Sequence, residues 1–299
     1  MQSSKKGPVL IIAATIIWGA GAAAQYEGMD HVGPLTFNAA RFFIGGFLVF
    51  LPTLFFLFRQ RKIEKSQRPI NKSTFWAGIL CGLVLCLAIN LQQFGYSLGL
   101  PAGRVGFITA LYVIFVPIIG LVVFKRNPPV FVWVGVVISL GGMFFLNYDG
   151  GLQMEPGDIF IILSALAFAV QILLVGHMSP RQNVIALACV QYFTVAAISL
   201  GLAFVFETPR VDGMTGGALS ILYTGVMSSG VAYLLQMKAQ KTTAPTVAAV
   251  IFSFEGVVSA LAGWLLLSQF LTPMQIFGCS LIFVATIVAQ TERRKKPVS

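Results

Sequence analysis

Residues 252–264 read FSFEGVVSALAGW, an almost wholly apolar stretch that carries one carboxylate, Glu255. In a solvated loop an acid needs no explanation. In the middle of a membrane span it does, so the surroundings of this stretch decide the fold. It lies inside an apolar run, 244–267, long enough to cross about 30 Å of hydrocarbon. Nine further runs of similar character occupy 8–26, 34–58, 74–97, 102–124, 129–147, 157–177, 184–205, 217–237 and 272–290. Several begin with a proline near the first turn (Pro8, Pro34, Pro101, Pro129, Pro156), where the missing N–H costs little.

The composition agrees. The 299 residues are 57% hydrophobic and 10% charged, with a mean hydropathy of +0.85; a soluble domain carries about 25% charged residues. The runs are continuously apolar and lack the alternation of membrane strands. The predicted fold class is therefore all-α integral membrane, with ten transmembrane helices.

A net charge of +10 would suit a nucleic-acid partner. Here the basic residues sit in short gaps between apolar runs, with no aromatic-rich basic face, and that partner is excluded. Of the 20 lysines and arginines, 17 fall on the side of the N-terminus: Lys5, Lys6, Arg59, Arg61, Lys62, Lys65, Arg68, Lys72, Lys125, Arg126, Arg181, Lys238, Lys241 and Arg293 through Lys296. Arg104 and Arg210 fall on the other side, and Arg41 lies within a span. The bias predicts a multi-pass protein of the plasma (inner) membrane with both termini cytoplasmic. Cys81, Cys86, Cys189 and Cys279 all lie in apolar runs without metal-ligand spacing and read as small buried hydrophobes. His31 and His177 fall at opposite membrane faces, and no Walker loop, metal cluster or Ser/His/Asp set is visible. The chain reads as a non-enzyme without a cofactor.

The first run could pass for a cleavable signal peptide, with its basic start and A-x-A ending. Against that, it has a counterpart later in the chain. At an offset of 150, LIIAATIIWGAG (10–21) falls on FIILSALAFAVQ (160–171), and LTFNAARFF (35–43) falls on IALACVQYF (185–193), so that Arg41 meets Gln191. Past the second span the offset becomes 143, because the first half has a longer basic loop. Gly82 then meets Gly225, Gln93 meets Gln236 and Gly120 meets Gly263. Two repeats are predicted, 8–147 and 157–290, each of five spans. An odd number forces the second to cross in the opposite sense. The halves are an inverted pair, and substrate sites in such folds lie near the midplane between them.

The motifs IIWGAG…RFF, GDIFIILSALAFAV, FITALYVIFVPIIG and SFEGVVSALAGWLLL resemble the EamA-type repeat. Two such repeats build the ten-span drug/metabolite transporter superfamily, and the resemblance covers about 8–290. It is closest to the amino-acid and metabolite exporter branch. The chain departs from the pattern at Glu255-Gly256, where Glu-Pro is usual, and at Ser268-Gln269, where Gly-Glu is usual. The resemblance implies an exporter of small amphipathic metabolites, amino acids foremost and aromatic ones among them, working by alternating access. It also implies spans five and ten at the periphery. Other solutes, such as nucleotide sugars or drugs, and a non-transport membrane protein are the alternatives. The expected partners are a small-molecule substrate, the lipid bilayer and protons as coupling ion, in a monomer or weak dimer.

Polar side chains inside the spans are the site candidates, because the membrane makes them expensive. Glu255 lies about 17 Å into its span, where an isolated charge costs at least about 2.5–3.5 kcal/mol. It reads as a substrate-amine contact or proton site, or as an interhelical bond. Arg41 reads as a partner for a substrate carboxylate or as an anchor on backbone carbonyls; its recurrence in the ARF of EamA-type repeats implies the anchor. Span three carries the stripe Cys86, Asn90, Gln93, Ser97, and span eight Ser229, Tyr233, Gln236. Asn38, Thr109, Tyr112, Gln171 and Gln191 add to these. Trp18, Tyr112, Phe168, Tyr233 and Phe252 line an aromatic-tolerant cavity or simply pack. The predicted substrate-binding set is Trp18, Asn38, Arg41, Asn90, Gln93, Thr109, Tyr112, Gln171, Gln191, Tyr233, Gln236, Phe252 and Glu255. Gly78-x-x-x-Gly82 reads as a close helix contact.

Overall fold

A computed structural model describes residues 6–59, 71–125, 127–147, 154–209, 211–267 and 272–291. Among these residues the structure is all-helical, without strands. Seven segments are long and apolar enough to cross a membrane; three shorter apolar helical segments, Val130–Phe145, Pro245–Leu261 and Pro273–Ala289, fill the remaining places of the predicted ten. The basic loop at 61–68, Lys5, Arg126, Asp149, Arg210, Ser268-Gln269 and the cluster at 293–296 lie outside the described residues.

In the first half, α1 (Lys6–Gly28), α2 (Pro34–Arg59) and α3 (Lys72–Ser97) are single helices. Span four is two pieces, α4 (Ala102–Thr109) and α5 (Tyr112–Phe124), and span five is α6 (Val130–Asn147). In the second half, α7 (Pro156–Met178) and α8 (Val184–Phe206) are followed by the short α9 (Val211–Gly216). Span eight comprises α10 (Ala218–Tyr223), a π-helical segment (Thr224–Ala232) and α11 (Tyr233–Gln240). Span nine is again two pieces, α12 (Pro245–Phe252) and α13 (Glu255–Leu267), and α14 (Pro273–Thr291) is span ten.

Helix starts follow from local chemistry. Asn71 caps α3 by accepting from Thr74 N at 2.8 Å, and Asn183 caps α8 by accepting from Ile185 N and Ala186 N. The start of α2 is capped from a distance: Glu207, just past α8, accepts from Leu35 N at 2.7 Å and Thr36 N at 2.9 Å.

The offsets read from the sequence recur in the helix boundaries. α1 and α7 begin and end 150 residues apart, and α2 and α8 begin 150 apart. α4 and α12, and likewise α5 and α13, begin and end 143 apart. The fold is thus ten spans in two inverted five-helix repeats. α2 packs on α8 and α6 on α14, each against its own counterpart; α1 meets spans eight and nine, as α7 meets spans three and four. The α6–α14 pair touches the rest chiefly through the broken helices α4, α5, α12 and α13, the peripheral place that the resemblance implied. Gly78 and Gly82 lie where α3 crosses α8. A Cβ on either would stand 2.6 Å from the Cβ of Val190 or of Thr194, so only glycine permits this approach.

Three spans differ from the continuous helices expected. In span four, Leu111 N bonds Ile108 O at 3.1 Å and Val113 N bonds Ala110 O at 3.0 Å. In span nine the equivalent amides repeat the pattern: Phe254 N bonds Ile251 O at 3.1 Å and Gly256 N bonds Ser253 O at 3.3 Å. Each break is one turn tightened to i→i+3 bonding. No proline stands at either break, so the missing Glu-Pro does not prevent it. At the second, Ser253 Oγ donates to Val250 O at 2.6 Å, competing with the helical ladder. In span eight the π segment widens the turn and shifts the register of everything before Tyr233.

Candidate functional site

Both breaks open onto one cavity. Thr109 and Tyr112 flank the first break, Phe252 and Glu255 the second, and all four line the cavity. At the offset of 143, Tyr112 is the counterpart of Glu255, so the two halves present different chemistry from one architectural position. Trp18, Gln25, Arg41, Gln92, Phe168, Gln171, Ile172, Ser228, Tyr233 and Gln236 complete the lining. The cavity holds about 50 Å³, room for a few water molecules.

Glu255 is the first residue of α13, where the helix dipole favours a carboxylate. Among the described residues its carboxylate makes no hydrogen bond and no ion pair. Its backbone is held against α1 at Gly19. A Cβ on Gly19 would lie 2.7 Å from Val258 Cβ and 2.9 Å from the Glu255 carbonyl oxygen, and Ser259 Oγ donates to Gly19 O at 3.1 Å.

Arg41 is 2% exposed. Its Nε donates to Asn38 Oδ1 at 2.7 Å and its Nη1 to Gln25 Oε1 at 2.9 Å. The guanidinium lies 5.2 Å from the Phe42 ring centroid and 5.7 Å from that of Phe37. Asn38 is held in turn by Asn90 Oδ1 (2.8 Å), and Asn90 donates to Ser199 Oγ (3.0 Å). Gln93 Nε2 donates to Gln25 O at 3.1 Å. A chain of amides from α1, α2 and α3, ended by the Ser199 hydroxyl of α8, thus fixes two guanidinium nitrogens on the cavity wall; the third, Nη2, bonds nothing among the described residues. Arg41 and Glu255 do not pair with each other.

Aromatic rings share the cavity wall with both. Trp18 lies 4.9 Å from Tyr233 and 5.4 Å from Phe252, centroid to centroid, and Tyr112 lies 6.5 Å from Phe252. Trp18 Nε1 donates to Ser228 O in the π segment at 3.3 Å. Toward the C-terminal ends of α7 and α11, Gln236 Nε2 donates to Gln171 Oε1 at 3.0 Å.

Of the thirteen predicted residues, nine meet on this cavity: Trp18, Arg41, Thr109, Tyr112, Gln171, Tyr233, Gln236, Phe252 and Glu255. Asn38, Asn90 and Gln93 stand behind it, holding Arg41 and Gln25. Gln191 is fully buried in α8 away from the cavity, and its amide has no partner among the described residues. Ser229 lies off the cavity and Ser228 on it, because the π segment breaks the four-and-three spacing. Ser97 is exposed at the end of α3 and bonds Phe94 O. Gln25 and Gln92 escaped the sequence reading. Gln25 follows Trp18 by seven residues, a same-face spacing that could have marked it. Gln92 is turned from the α3 stripe toward α4, where it donates to Thr109 Oγ1 at 3.0 Å.

The EamA-like transporter family matches residues 5–148 and 155–291. An uncharacterized transporter of Archaeoglobus fulgidus is 33% identical over 274 residues, 91% of this chain and 82% of that one. The S-adenosylmethionine uptake transporter of Rickettsia felis is 22% identical over 248 residues, 83% of this chain and 79% of its own. A crystal structure 18% identical in sequence shares the fold, with a TM-score of 0.78 over 96% of this chain and 97% of that one. Matched in both of its repeats, this ten-span membrane protein belongs to the EamA-like transporter family.

Proposed function

We propose that the protein exports small zwitterionic metabolites, amino acids foremost and aromatic ones among them, by alternating access. One observation carries the reading: a guanidinium and a carboxylate share an aromatic-lined midplane cavity without pairing. A zwitterion supplies what each lacks, its carboxylate to Arg41 and its ammonium to Glu255. The repeats 8–147 and 157–290 move as units about the two broken spans. Glu255 takes a proton when the amine leaves and so couples transport to the proton gradient. The chain works in the inner membrane as a monomer or weak dimer with both termini cytoplasmic. A phosphate-rich solute such as a nucleotide sugar would want more cations than the single Arg41 on this cavity.

The Rickettsia felis relative favours a second reading. S-adenosylmethionine carries the same zwitterionic head on a longer body that ends in a planar base, and the aromatic walls suit that base.

Counterflow in proteoliposomes, with an amino-acid panel and S-adenosylmethionine, tests both. The expected result is exchange of at least one aromatic amino acid, its rate reduced about tenfold or more in Glu255→Gln, a rise of about 1.4 kcal/mol or more in the barrier. Movement of some other solute with no zwitterion moving rejects the proposal. Vesicles of opposite orientation decide direction.

A further inference from the structure

The cavity has a second polar feature, which the zwitterion reading leaves unused. Gln171 and Gln236 are 0% and 1% exposed and bond each other through one N–H and one oxygen. That leaves Gln171 Nε2 and Gln236 Oε1 without partners, and of the buried polar atoms so left among the described residues only these two belong to cavity-lining side chains. Turning both amides over changes which residue donates but still leaves one donor beside one acceptor. The other glutamines of the cavity are engaged, Gln25 by Arg41 and Gln92 by Thr109. A buried amide kept half-satisfied in this way asks for a partner of complementary pattern.

Position says what kind of partner. Gln171 lies three residues after Phe168 on α7, and Gln236 three after Tyr233 on α11, both same-face spacings. The two spans run in the same direction, so both amides lie about one turn beyond their aromatics toward the same end of the cavity. A planar ring held among Trp18, Phe168 and Tyr233 would turn an edge toward them.

We infer that Gln171 and Gln236 are the specificity-determining pair for the far end of the substrate, taking the edge of a heteroaromatic ring that presents an acceptor beside a donor. The inference rests on the zwitterion reading for the other end of the ligand.

Binding to the purified full-length protein, measured by titration calorimetry, tests it with three probes. 7-Azatryptophan carries an acceptor beside its ring N–H, naphthylalanine is a planar two-ring zwitterion one ring atom larger with no polar edge, and adenine has such an edge without the zwitterion. The wild type is expected to bind 7-azatryptophan at least about tenfold tighter than naphthylalanine. In Gln171→Leu and in Gln236→Leu the ratio falls to within about twofold, with naphthylalanine affinity kept, which also shows that the variants fold. Should either fail to fold, Gln236→Met carries the same comparison. A wild-type ratio near one, a ratio that survives both substitutions, or no binding of any planar probe overturns the inference. Failure of the underlying reading looks different: adenine then binds as well as the zwitterions. If both zwitterions bind equally and better than adenine, that reading stands and the glutamine pair falls.

Discussion

Arg41 does two jobs with one guanidinium. One nitrogen bonds Asn38 on its own helix, a second ties α2 to Gln25 of α1, and the third is left to the cavity. Arg41→Met strips two buried acceptors of a charged donor, so unfolding in detergent should show a loss of about 2–3 kcal/mol as well as lost transport. Glu255 has no such ties. Glu255→Gln should leave the unfolding midpoint within about a degree or two while flattening the pH dependence of transport; a pH profile that keeps its shape counts against proton coupling at this side chain. The contrast was half legible in the sequence. Both residues announce themselves, since any charge inside an apolar run must be accounted for. What each touches was not legible, because Asn38, Gln25 and Asn90 come from three different spans. Gln191 shows the converse: it aligns with Arg41 and is as deeply buried, yet it lies off the cavity.

At the scale of elements, the close contact of α1 and α13 sets where Glu255 stands. Gly19→Ala places a methyl group 2.7 Å from Val258 Cβ and 2.9 Å from the Glu255 carbonyl oxygen. It should destabilise the protein by about 1–3 kcal/mol and slow transport. Val258→Ala in the same chain should recover part of both, a coupling that a double-mutant cycle in detergent would read directly. The spans themselves were legible because length and hydropathy alone define them. The breaks in spans four and nine were not, since neither contains a proline at the break and a one-turn tightening leaves apolar periodicity intact. The π segment was equally silent, and it exchanged Ser229 for Ser228 on the cavity wall.

Across the whole molecule the two repeats agree in their bounds and differ in how the two ends of the bundle are closed. Where the N-terminal ends of α4 and α7 meet, Arg104 bonds Asp158 through Nε at 2.8 Å and Nη2 at 2.5 Å, and Glu155 at 2.8 Å, joining the first half to the second. At offsets of 143 and 150 the counterparts of Arg104 and Asp158 are Val247 and Pro8, which carry no charge, and that of Glu155 is Lys5, outside the described residues. Arg104→Gln should therefore favour opening at that end, the outer one in the proposed orientation, by about fivefold for a pair of about 1 kcal/mol. The measurement is labelling of Gln25→Cys by an impermeant thiol reagent from outside, in a background lacking the four native cysteines; unchanged labelling would show that the pair does not hold that face shut. The inverted architecture could be read from two offsets in the sequence, but this asymmetry could not, because Arg104 looks like any other loop-edge charge until α7 is beside it. The size of the cavity has a consequence for ligand measurements. At about 50 Å³ it is smaller than the zwitterions proposed for it, so their binding would first part the contacts that Trp18 makes with Tyr233 and Phe252. A dissociation constant recorded on this protein will report the strength of its grip less the work of that separation, and a substitution that merely loosens the ring cluster can tighten binding without touching the ligand.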